Sequence, residues 1–120
     1  AAEAGVDSIE HGAYLDRDAL AAMAENNTVW VPTLSTIGNL RGKGRFSEDA
    51  VARILDSALE NCAAFAALGG LIAPGSDAGA WSVPHGCQTE ETLLTEALGS
   101  QTADILEKGV IAVKTRFIRP

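Results

Sequence analysis

The sequence predicts an α/β fold built on a parallel sheet, and three observations carry that prediction. Short runs of β-branched and apolar residues alternate with longer stretches of helical periodicity. The order strand, helix, strand, helix, strand implies right-handed crossovers between parallel neighbours. Each apolar run also breaks off in a polar or glycine-rich turn: Glu10-His11-Gly12, Pro32-Thr33-Leu34-Ser35 and Ser76-Asp77-Ala78-Gly79.

The elements follow in chain order. Residues 1–5 (AAEAG) read as a helix end with a glycine stop. Val6 to Glu10 is a short strand. Asp16 caps a helix reaching about Asn26, with Leu20 and Met23 turned inward. Thr28 to Val31 favours a strand, which Pro32 ends. Residues 33–46 read as a loop whose centre, Arg41-Gly42-Lys43-Gly44-Arg45, is basic and glycine-interrupted. That centre suits an anionic group, although a solvated mobile loop is the commoner meaning of such a run. Ser47 caps the clearest helix, where Val51, Ile54, Leu55, Ala58, Leu59, Cys62, Phe65 and Ala66 share one face. Gly69-Gly70 stops it, and Leu71 to Ala73 is the third strand. A helix from about Thr89 to Leu98 comes next, with Glu90 and Glu91 expected on its first turn, where the helix dipole favours carboxylates. The segment 101–117 reads mostly helical, although Gly109 and the following Val-Ile-Ala-Val leave a strand open.

Composition bounds the function. A 47% hydrophobic and 21% charged content is that of a globular chain, and 120 residues, 1–120, with no internal repeat or linker, imply one domain or part of a larger one. The net charge of −7 argues against general nucleic-acid binding and against attachment to an anionic membrane surface. No apolar run approaches a membrane span, and the first residues do not read as a signal peptide. Cys62 and Cys87 lack metal-site spacing; a buried free thiol at Cys62 fits a reducing compartment, so a cytoplasmic location is expected.

In parallel α/β folds ligands gather at the C-terminal ends of the strands. His11, Asp77 and His85, in the loop after the third strand, all fall on that rim. Imidazole and carboxylate together suit a divalent cation, and a carboxylate beside metal-bound water can take its proton. By spacing alone, however, a histidine after a strand is more often a hydrogen-bonded structural residue, and a Gly-Ser-Asp turn is usually only a turn. Neither a G-x-S-x-G elbow nor a G-x-G-x-x-G turn is present. A small flavodoxin-like binding domain would need about five strands and a phosphate loop.

The blocks AAEAGVDSIEHGAYLDRDALAAMAENN, VWVPTLS and GGLIAPGSDAGAWSVPHG together resemble the amidohydrolase superfamily, and within it the imidazolonepropionase-like metal-dependent hydrolases. The likeness covers residues 1 to about 98. It implies part of a (β/α)8 TIM barrel, about three C-terminal βα units corresponding to strands 6 to 8, and hydrolysis of carbon–nitrogen bonds in a small-molecule substrate. It implies one or two divalent metals, Zn²⁺ above all, in the full-length family. By the same likeness His11 is a metal ligand or substrate contact. Asp77 is a metal ligand and general base, with an apolar wall on one side keeping it basic. His85 and Thr33 line the substrate pocket. The family's first-strand H-x-H, fourth-strand Lys or Glu and fifth-strand His are absent, and a whole barrel needs about 250 residues. The resemblance therefore implies the C-terminal portion of a barrel, inactive alone. The alternative is a non-catalytic half-barrel with two open sheet edges, which self-associates or pairs with a complementary half.

Overall fold

The computed structural model describes residues 1–118. Its centre is a three-stranded parallel sheet in the order β1 (Ser8–Glu10), β2 (Val29–Val31), β3 (Leu71–Ile72). Ser8 pairs with Val29 and Glu10 with Val31; Val29 pairs with Leu71 and Trp30 with Ile72. The strands are shorter than the sequence suggests, because Val6, Thr28 and Ala73 lie outside the ladder.

Helix α1 (Arg17–Glu25) starts at Asp16, whose Oδ1 accepts from the Ala19 amide at 2.8 Å. The 20-residue α3 (Glu48–Ala67) starts at Ser47 and buries Val51, Leu55, Ala58, Cys62 and Phe65 along one stripe. Leu20, Met23, Trp30, Leu34, Leu55, Phe65, Ile72, Leu93 and Leu94 form the core. Trp30 meets Phe65 edge-on at 5.8 Å, a contact worth about 0.5–1.5 kcal/mol beyond its buried area. Helix α4 (Thr89–Leu98) packs against α3.

Two elements differ from expectation. A four-residue helix, α2 (Ser35–Gly38), stands inside what reads as a loop. One turn is too short to show a period, and its stability comes from burial of Leu34 and from contacts distant in sequence. The last segment resolves its ambiguity as helix α5 (Thr102–Phe117), with Gly109 buried.

Gly109 explains where α5 sits. Ala73 N donates to Trp30 O, so in this register the Ile72 carbonyl points away from β2, out of the sheet's side. A Cβ on Gly109 would stand 1.9 Å from that oxygen. Helix α5 thus lies against the edge of β3 and covers it. At its far end Arg116 donates to Asp7 O at 2.7 Å and Asn27 O at 2.6 Å, tying α5 to the approaches of β1 and β2. The expectation of two open edges therefore fails on the β3 side. Among the described residues no helix is long and apolar enough to cross a membrane.

Candidate functional site

Parallel strands deliver their C-terminal ends to one rim, and three of the sequence-predicted site residues stand there in unusual backbone conformations. His11, Thr33 and Asp77 have φ of 66°, 49° and 55°. Side chains other than glycine rarely occupy this left-handed region, and for β-branched Thr33 the conformation is costly, on the order of 1–3 kcal/mol. Such strain persists only where the surroundings hold it.

The holding contacts are visible. His11 Nδ1 and Thr33 Oγ1 are 2.7 Å apart, and Trp30 Nε1 donates to the His11 carbonyl at 2.5 Å. Thr36 Oγ1 donates to Thr33 O at 2.8 Å. One nitrogen of the His11 ring is thereby engaged, and Nε2 is left for another partner. His11 is exposed while Thr33 is buried beneath it.

Asp77 lies on the loop after β3. Gly75 lets that loop turn tightly over β2, since a Cβ there would stand 2.5 Å from Val31 Cγ1. Ser35 Oγ donates to Ser76 O at 2.9 Å, joining the β2 and β3 loops directly before Asp77. A tight turn follows, closed by Gly79 N to Val83 O at 3.0 Å. The His85 ring folds back over it, with Nε2 3.7 Å from where a Cβ on Gly79 would stand. Asp77 and His85 are both exposed. The apolar wall expected beside Asp77 is thus not supplied by these residues. Two pairs result, His11 with Thr33 and the Asp77 turn with His85, and among the described residues no hydrogen bond joins one pair to the other. Nor does any group of three or more His, Cys, Asp or Glu among them gather as a metal site.

Glu90 stands on the first turn of α4, as expected, but is buried there. It is 5% exposed and turned inward. Its Oε2 accepts from the Ser35 amide at 2.7 Å, while Oε1 is buried without a partner. Burial pushes its pKa up, and the hydrogen bond from Ser35 only partly opposes this. Glu90, Ser35 and Ser76 form a chain of contacts that ends beside Asp77. Its signal in the sequence was weak: position 90 shares a helix face with buried Leu93 and Leu94. Cys62, buried and close to the Glu90 charge, has its thiol pKa raised to about 12. Cys87 Sγ, 2.9 Å from Thr89 Oγ1, has its pKa lowered chiefly by that hydrogen bond.

No family model and no curated protein matches the chain. Solved structures do. A Xaa-Pro dipeptidase with methionine bound in its active site superposes with a TM-score of 0.72 at 28% identity, over 94% of this chain and 29% of that one. The A. niger ochratoxinase superposes with a TM-score of 0.71 at 23% identity, over 92% of this chain and 26% of its own. The chain therefore shares its α/β fold with a part of each, and spans under a third of their length.

Proposed function

We propose that this chain is the C-terminal part of an amidohydrolase-type hydrolase barrel, three βα units that hydrolyse amide, cyclic amide or peptide C–N bonds together with the rest of the site. The observation that carries the reading is the strained trio His11, Thr33 and Asp77 at the ends of three adjacent parallel strands. The similarity to part of a dipeptidase supports it.

The chain's own residues take defined parts. The Asp77 carboxylate accepts the proton of the attacking water and returns it to the leaving nitrogen. Thr33 fixes the His11 ring through Nδ1, presenting Nε2 to the site. His85, folded over the Asp77 turn, lines the space for a small-molecule substrate. Glu90 holds Ser35, and through it the Asp77 loop. His11 and Asp77 are donors of the type that suits Zn²⁺, and each could fill one coordination position. A bound divalent metal supplies carbonyl polarisation and acidifies water. Two donors make a weak site, so the isolated chain is expected to be inactive.

The test is a Zn²⁺ titration of the chain, followed by the ring-proton resonances of His11. His11 should respond and thermal stability should rise as RT ln(1 + [L]/Kd). Both effects should shrink in Asp77→Asn. A silent His11, or a response that Asp77→Asn leaves intact, overturns the reading.

One observation favours the alternative, a scaffold that self-associates. With α5 on the β3 edge, the other sheet edge is β1, beside an apolar groove of about 330 Å³ that includes Ile9, Leu15, Ala22 and Met23. Pairing through β1 would make the chain dimerise without any response to metal, which sedimentation would read directly.

A further inference from the structure

The basic loop between α2 and α3 is the motif that the proposed chemistry leaves unused. It is folded back on itself: Glu48 accepts from the Gly42 amide with both carboxylate oxygens at 3.0 Å. From that base Arg45 reaches across to the loop after β3. Its guanidinium carbon lies 5.1 Å from the Trp81 ring centre and 5.8 Å from that of Phe46. Trp81 is four residues beyond Asp77, in the turn over which His85 folds. Asn39 Nδ2 fixes the next residue, donating to Ser82 O at 2.8 Å.

This arrangement leaves a cation unspent. The chain carries 16 acidic residues against nine basic ones, yet among the described residues the one ion pair is Lys108 with Asp104. Arg45 is steadied by aromatic faces, which orient the guanidinium plane without consuming its N–H donors. Trp81 is 60% exposed and Phe46 51%, so both rings offer apolar surface beside the charge. A planar fork of donors flanked by aromatic surface matches a carboxylate attached to an apolar group. Arg41 and Lys43 add positive potential at the same loop in an otherwise acidic chain.

We propose that Arg45, steadied by Trp81 and Phe46, is a specificity-determining residue that binds the free carboxylate of the substrate. The inference rests on the proposed amide hydrolysis and narrows its substrates to acyl-amino acids and dipeptides over uncharged amides. In that reading Arg45 holds the carboxylate end while the scissile bond lies toward Asp77.

The experiment titrates N-acetyl-glycyl-glycine, as free acid and as C-terminal amide, into the chain. The Arg45 Nε–H and Trp81 Nε1–H resonances are followed by NMR. The acid should bind about tenfold more tightly than the amide. Arg45→Gln should abolish that preference, and Arg45→Lys, which keeps charge but not the fork, should retain only part of it. Both variants lie on the surface, so their unfolding midpoints should match that of the parent chain. Equal binding of acid and amide, a preference that survives Arg45→Gln, or inorganic phosphate shifting both resonances as strongly as the acid would overturn the inference. The hydrolase reading is decided separately by the Zn²⁺ response of His11. Acid-selective binding with a silent His11 keeps the carboxylate subsite and removes the hydrolase.

Discussion

Replacing Gly109 by alanine sets two physical effects against each other with opposite signs. In a helix interior alanine is favoured over glycine by about 1 kcal/mol. Propensity alone therefore predicts a more stable protein. Packing predicts the reverse. The new Cβ would lie 1.9 Å from Ile72 O, 2.4 Å from its carbonyl carbon and 2.9 Å from Ala73 N. Real Cβ contacts essentially never fall below 3.0 Å, so α5 must back away by about 1.1 Å. The opposing atoms are strand backbone and cannot rotate aside. Overpacking of this kind costs about 1–3 kcal/mol and occasionally more. The rigid partner places it at the upper end, leaving a net loss of about 2 kcal/mol. For a chain of 120 residues that lowers the thermal midpoint by about 8 °C. Circular dichroism melts and urea titrations of the two proteins decide the sign. A Gly109→Ala variant as stable as the parent, or more so, would show that α5 does not rest on the β3 carbonyl.

Glu90 makes a pH-dependent prediction. Folding raises its pKa above the ordinary 4.5, so between those two values the folded state binds more protons than the unfolded one. Its contribution is therefore most favourable below 4.5 and declines as pH rises through the raised value, and Glu90→Gln should flatten that slope in urea titrations run across the window. Glu90→Ala should instead cost about 1–3 kcal/mol at neutral pH, because the Ser35 amide loses its acceptor. An unchanged pH slope in Glu90→Gln would refute the account. The native chain should react with a thiol reagent at Cys87 well before Cys62, whose pKa of about 12 keeps it protonated; equal rates without unfolding would contradict the burial. Asp77→Gly should hold or raise stability by up to about 1 kcal/mol, since glycine takes φ of 55° without strain. A loss beyond about 1 kcal/mol would mean that the Asp77 side chain supports the fold.

What the sequence revealed follows from what is local. The caps at Asp16 and Ser47 and the inward stripe of α3 could be read because they depend on neighbours within a few residues. Strand ends at His11, Thr33 and Asp77 could be located, since apolar runs stop there. Their left-handed backbones could not, because the strain depends on contacts such as that of Trp30 with the His11 carbonyl, 19 residues apart. Helix α2 and the inward turn of Glu90 were hidden for the same reason: the bond joining Ser35 to Glu90 spans 55 positions. Gly109 left a strand open in the sequence because its partner is the backbone of a strand far upstream.

One side chain has a consequence for motion. Asn39 Nδ2 donates to Ser82 O at 2.8 Å, and its Oδ1 accepts from Thr89 Oγ1 at 2.7 Å. A single amide thus bridges the end of α2, the turn carrying Trp81 and the start of α4. None of the three can swing outward without breaking a bond at the same residue. Their backbone amides should therefore exchange with solvent through one shared opening event, at a common free energy. Any ligand that quiets the turn would slow exchange at the start of α4 as well, carrying news of occupancy from the open face of the molecule into its packed interior.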